Sequence, residues 1–407
     1  MSKTKRKLSD QEERKTGKKR KSTENEEKYY KDNVFCQVLK KAGLTLKTGK
    51  TPNVLDVDQA VFQRNLQIAL KRRDNFPSVL DEFIEGFQEY IEDQHRFHYS
   101  LLPTQTSDKC ESARCSSQDS LVRLLIGVDV LQSKMMMCLL EKLAEFMENE
   151  DCIVEHGEKV NLPRLLMSQF RWLDRILDCK ELADKMLEMI SIVSVDIQRE
   201  IITCLPEVVE DSEHSHVATS LRDLLVEKSS LTVPILDALS NLNLNPELMM
   251  EVRGSVLQTL STVEVENLPV VVRFLLQSVT PADDQEVVME IRQNLDFTSS
   301  FPLATSTPHE TVSRRQLSGD ETRGVESLTL DAIKSGIRFQ KSVAEAWIKA
   351  IDSVKQTSDH KVIDLFILLI LYSTDRKKPV ESLIRNKIRS GAFTEVLLQE
   401  AFRERAQ

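Results

Sequence analysis

The feature that most limits how this chain can fold is a spacing: apolar residues return every three or four positions. Val57, Val61, Leu66 and Leu70 share one helical face, and Val79, Phe83, Phe87, Tyr90 and Ile91 share another. An amphipathic helix needs that period to bury one side and wet the other. Glycine occurs 11 times in 407 residues, too sparsely for the turns of doubly wound sheets or phosphate-cradling loops. Leu, Glu, Lys and Gln are common, which adds helical bias. The period predicts an all-α chain.

Proline punctuates the pattern. Leu162-Pro163, Leu205-Pro206, Val233-Pro234 and Leu268-Pro269 each open an apolar run, with the prolines 43, 28 and 35 residues apart. Proline suits a first helical turn, where its missing N–H has no intrahelical partner anyway. HEAT and armadillo helix pairs repeat at about 40–47 residues. Residues 34–297 therefore read as an irregular α-solenoid of HEAT/armadillo-like helix pairs. Leu121–Val128 and Met135–Met147 are helical stretches in it, and 103–119 and 148–161 are connectors. Residues 298–327, rich in Ser, Thr and charge, read as a long mobile loop. Helices resume at about Leu328 in a continuation, 328–407. There Ser342, Ala346, Lys349 and Ile351 share a helix, Val362–Tyr372 is the most buried, and Val380–Ile388 is basic. The chain ends within Thr394–Glu404, which still reads as a helix, so the expectation is a fragment or shortened isoform.

Charge divides the chain differently. Residues 1–31 hold twelve Lys/Arg against six Asp/Glu, an excess of six positive charges, so with a net charge of −9 the remainder carries −15. Residues 1–33 read as a disordered basic tail. Its clusters Lys5-Arg6-Lys7 and Lys18-Lys19-Arg20-Lys21 fit a bipartite nuclear import signal; the plainer reading is a solvated charge run. Hydrophobic residues at 41% allow a large core elsewhere. No apolar segment follows the charged N-terminus, and the longest strongly apolar run, Leu365–Tyr372, is far short of a membrane span. The seven cysteines (Cys36, Cys110, Cys115, Cys138, Cys152, Cys179 and Cys204) are scattered, as in a reducing compartment. A nuclear or cytosolic protein is expected, without a membrane partner.

Catalytic signatures are absent: there is no GxSxG, no HExxH, no glycine-rich phosphate loop and no zinc spacing. His214 and His216, beside Glu210, Asp211 and Glu213, could hold a divalent metal weakly, but a solvated turn explains them better. No cofactor is implied. Three Ser/Thr-Gln dipeptides, at Thr104, Ser117 and Ser168, match the DNA-damage kinase pattern. Thr104 and Ser117 lie in the predicted 103–119 connector and are the phosphorylation candidates; Ser168 sits in an apolar helix. Near the end, Arg376, Lys377, Lys378, Arg385, Lys387 and Arg389 form a basic cluster. Arg385 and Arg389, four apart, can share a helical face and neutralise phosphates without reading bases. An ordinary charged helix surface is the competing account.

Four strings are long and unusual: Asn161 to Arg175 (NLPRLLMSQFRWLDR), Ser230 to Asp237 (SLTVPILD), Ala346 to Ile351 (AWIKAI) and Arg385 to Gly391 (RNKIRSG). They resemble the Fanconi anaemia group D-two family, from about Val34 to Leu398. The tail, the 298–327 loop and Phe402 to Gln407 depart from its pattern. The resemblance implies an α-solenoid that pairs with the related group I protein and closes around double-stranded DNA in interstrand crosslink repair. It also implies ubiquitination by the Fanconi core complex ligase at a lysine beyond the matched stretch, so no lysine here inherits that role. Ile192 to Glu210, with Leu205 and Pro206, resembles a CUE-like ubiquitin-binding segment, although the same leucine suits a solenoid core. The basic cluster, with Lys377, Lys378, Arg385, Lys387 and Arg389 as backbone contacts, becomes the candidate DNA surface. A generic HEAT-type adaptor in nuclear transport or assembly is the alternative. Trp172 and Leu173 continue the spacing of Leu165 and Leu166 and are expected in the core.

Overall fold

The computed structural model describes residues 33–47, 51–71, 76–106, 118–146, 154–155, 158–295 and 319–403. The import clusters, from Lys5 to Lys7 and from Lys18 to Lys21, and Ser117 lie outside them. The described residues form nineteen α-helices and five two-residue strands. They divide into two compact units, Met1–Glu210 and Asp211–Gln407.

Among the described residues the first unit holds nine helices. α1 (Val34–Ala42) starts on Asn33, whose side chain accepts from the Phe35 N–H at 2.9 Å. It stops at Gly43, where a left-handed φ of 104° lets the glycine N–H reach Leu39 and Lys40 carbonyls. α2 (Gln59–Lys71) and α3 (Phe76–Ile91) pack on it. Phe35 seals that contact, meeting the Phe83 ring edge-on at 5.0 Å and Phe87 at 5.6 Å. α4 (Gln94–Leu101) follows and packs on α3. A short sheet ties the loops: β1 (Leu44–Thr45) runs antiparallel to β2 (Val54–Leu55), which runs parallel to β3 (Gln105–Thr106). α5 (Leu121–Ile126) is buried at five of its six positions, and α6 (Asp129–Glu145) packs on it and on α3. The 148–161 connector contains a hairpin, β4 (Val154–Glu155) with β5 (Glu158–Lys159). α7 (Leu162–Ser168), α8 (Cys179–Ile192) and α9 (Val195–Val208) complete the unit.

Pro163 opens α7 as expected. Pro206 does not open a run. It lies inside α9, two residues from its end, and it removes the N–H that would bond the Ile202 carbonyl.

The second unit is regular. α10 (His214–Glu227), α11 (Thr232–Asn241), α12 (Pro246–Thr259), α13 (Leu268–Ser278), α14 (Asp284–Asn294), α15 (Gly319–Phe339), α16 (Lys341–Ser353), α17 (Val362–Tyr372), α18 (Lys377–Arg389) and α19 (Glu395–Arg403) follow in order. From α11 to α18 each helix packs against the second one along, α15 bridging α13 and α17, and α16 bridging α14 and α18. Packing to the second neighbour is what stacked helix pairs require, because each pair leaves a face only the next can cover. The fold is an all-α solenoid. The expected loop at 298–327 is shorter than its composition suggests: helix already begins at Gly319, and 296–318 lie outside the described residues. No described helix is long and apolar enough to cross a membrane.

Candidate nucleic-acid interface

The basic cluster lies on α18 and the turn before it, and the helix sorts its charges. Val380 and Leu383 are buried and fix which side of α18 faces the stack. Lys377, Lys378, Arg385 and Arg389 are exposed. Arg385 and Arg389 share a side, as four-residue spacing requires. Glu381 sits 3.6 Å from Arg385 Nη2, a solvated pair that costs little to separate. Lys377 Nζ stands 5.7 Å from the Tyr372 ring, and Arg376 reaches back to Glu345 at 2.9 Å.

Lys387 does not belong to this surface. Two positions from Arg385, it points to the opposite side and is 7% exposed. Its Nζ donates to the carbonyls of Asp352 at 3.0 Å and Val354 at 2.6 Å, closing the C-terminal end of α16. A cation suits that site, where unpaired carbonyls carry the helix dipole's negative end. Burial lowers its pKa from the usual lysine value.

α18 ends at Gly391, whose φ of 71° is left-handed. The Ala392 N–H bonds the Lys387 carbonyl at 2.9 Å and Gly391 bonds that of Ile388 at 3.1 Å, a Schellman closure. The reversal sends Phe393 against His360, ring centres 4.9 Å apart.

Behind this surface lies a buried ionic junction that sequence reasoning missed. Arg292 of α14 grips both carboxylate oxygens of Asp364 on α17, each at 2.8 Å. His360 Nδ1 lies 3.1 Å from Asp364, and the Lys361 N–H donates to it at 3.1 Å. Lys361 Nζ caps α14 through the carbonyls of Arg292, Gln293 and Leu295. The partners lie about seventy positions apart, so no local spacing could reveal them.

Other candidate residues move. Thr104 is buried, and its hydroxyl donates to the Asp119 carbonyl at 3.0 Å, so the folded chain hides it from a kinase. Leu205 has no exposed surface and Pro206 is half-buried, so the leucine is core and cannot form an apolar docking patch as it stands. Trp172, expected in the core, is 78% exposed with φ of 60°, and Leu173 is half-buried. α7 ends at Ser168, so the helical spacing that placed both inside no longer applies. His214 is buried and accepts the Asn243 N–H at 2.9 Å, a structural joint between helices. Among the described residues no three His, Cys, Asp or Glu side chains converge as a metal site. Burial pushes the Cys36 and Cys138 thiols up to about 11 and Cys204 to about 12, away from nucleophilic thiolate.

The family model described as Fanconi anaemia protein FancD2 nuclease matches residues 1–407. This chain belongs to the FancD2 family. It is 42% identical over 383 residues to the Fanconi anemia group D2 protein of Gallus gallus, covering 91% of this chain and 26% of that one. The group D2 protein homolog of Rattus norvegicus is 40% identical over 379 residues, with the same coverage. The chain thus spans about a quarter of the length of the FancD2 relatives it matches.

Proposed function

We propose that this FancD2-family chain is a non-catalytic DNA-repair scaffold that acts in the nucleus. In this reading it pairs with the group I protein and holds duplex DNA by its phosphates, in interstrand crosslink repair. Ubiquitin attachment by the Fanconi core complex occurs at a lysine beyond this stretch, and the clusters from Lys5 to Lys7 and Lys18 to Lys21 carry import. Damage-kinase regulation rests on Ser117. The observation that carries the reading is the exposed cationic side of α18 on a chain that is acidic beyond residue 31. Lys377, Lys378, Arg385 and Arg389 supply charge without groups placed to read bases, so they suit backbone contact.

The test uses the full-length protein paired with the group I protein. Arg385→Glu/Arg389→Glu should weaken binding to all duplex sequences alike and flatten the salt dependence by about one unit per lost contact. Equal affinity and slope, with the fold intact, would reduce α18 to a solvated helix face. The word nuclease in the family description calls for a second measurement. This chain with Mg²⁺ or Mn²⁺ and end-labelled DNA should leave the DNA whole; specific cleavage would overturn the scaffold reading.

A further inference from the structure

We propose that Glu381 is a built-in competitor for phosphate on the cationic side of α18, occupying Arg385 until a DNA backbone displaces it. This role for Glu381 rests on the reading of α18 as a phosphate-binding surface and adds what restrains that surface. Glu381 is the one carboxylate on α18. Each residue turns about 100° around a helix, so Lys378, Arg385 and Arg389 fall within about 40° of one another. They rise over about 16 Å, enough to follow several phosphates of one strand. Lys378 and Arg389 are exposed and form no ion pair among the described residues. Glu381 stands between Lys378 and Arg385 in height, one turn before the arginine and about 40° to its side.

Two contacts hold the carboxylate there. Its Oε2 faces Arg385 Nη2 at 3.6 Å, and its Oε1 accepts from the Tyr372 hydroxyl at 3.4 Å. Tyr372 is the last residue of α17, and Lys377 Nζ stands 5.7 Å from its ring. With a partner on each oxygen, the negative charge is fixed beside the cationic stripe. An approaching phosphate meets that charge and has to take Arg385 from it. The restraint is mild, because the Arg385 and Glu381 side chains are 71% and 43% exposed. An exposed pair shifts an equilibrium by about fivefold at most. A single phosphate at Arg385 therefore gains little over the carboxylate already there. A strand that engages Lys378 and Arg389 together with Arg385 overcomes the bias.

The experiment uses the full-length protein paired with the group I protein, and a labelled duplex over a salt series. Glu381→Gln removes the charge and keeps an oxygen for Tyr372. It should tighten binding about two- to fivefold at low salt. It should also steepen the salt dependence by up to about one unit, so the advantage fades as salt rises. Glu381→Asp keeps the charge and should bind as the wild type does. In an Arg385→Ala background most of the gain should vanish, since the arginine to be freed is gone. Binding unchanged by Glu381→Gln, tightened equally by Glu381→Asp, or improved as much without Arg385 would overturn the proposal. Arg385→Glu/Arg389→Glu keeps the two readings apart. If that variant weakens binding while Glu381→Gln changes nothing, the competitor falls and the α18 surface stands; if neither alters binding, both fall.

Discussion

Asp364 has no exposed surface, yet it faces a guanidinium, an imidazole and a backbone N–H. Burial alone would push its carboxyl up. Hydrogen bonds from His360 and Arg292, with the Arg292 charge, outweigh burial and hold it below the ordinary value of 3.8. Such a group contributes stability that is present above the unfolded pKa and is lost as pH falls through the folded one. Asp364→Asn leaves Arg292 buried without its counter-charge and should cost about 3–5 kcal/mol near neutral pH. The gap between the wild-type and variant melting temperatures should shrink below about pH 4; a gap that persists in acid would show that the charge is not the cause. Trp172 poses the opposite case, a bulky side chain in water on a left-handed backbone. Left-handed φ costs a non-glycine residue about 1–2 kcal/mol, so Trp172→Gly should raise stability by up to about 1 kcal/mol. The expectation of a buried tryptophan implies a large loss instead, so a single thermal melt separates the two.

At the level of elements, α18 shows how one cluster of charges acquires two roles. Positions 385 and 389 stay on one side of the helix, while 387 crosses to the other and caps α16. Lys387→Met should therefore cost about 1–3 kcal/mol by leaving two carbonyls unpaired. Arg385→Ala should stay within about 0.5 kcal/mol, as exposed changes do. Chemical denaturation of both variants checks the contrast. Equal losses would mean that Arg385 has a structural partner or that the Lys387 cap contributes nothing.

The whole molecule is two compact bodies, and each should respond to damage within itself. Leu205 is fully buried in the first unit, so Leu205→Ala should cost about 2–5 kcal/mol through the cavity it leaves. Native-state hydrogen exchange should show lost protection in α7 to α9 and little change in α12 to α18. Loss spread evenly over both units would refute the division. A Leu205→Ala variant with unchanged stability would reopen the reading of this stretch as a docking patch.

Helical class and the solenoid principle were legible in the chain itself, because apolar period, scarce glycine and N-terminal prolines are local signals. Val362–Tyr372 could be placed as a helix to the residue, but it is not the most buried one: Leu369 is 54% and Tyr372 42% exposed, and α5 is buried more completely. Pro206 and Trp172 misled for a physical reason. Periodicity says that a face is apolar, but a helix end cancels it, and both lie where a helix is ending or has ended. Gly319 to Ser327 misled by composition, as polar residues at a helix start resemble a loop. The surface of α18 was half legible: the spacing of Arg385 and Arg389 announced a shared side. The assignment of Lys387 needed the carbonyls of Asp352 and Val354, thirty-odd positions away. Asp364 with Arg292 depends on side chains far apart in sequence. Local pattern shows which helix faces are apolar; only the packing of distant helices decides which charges become buried joints and which stay free to meet a partner.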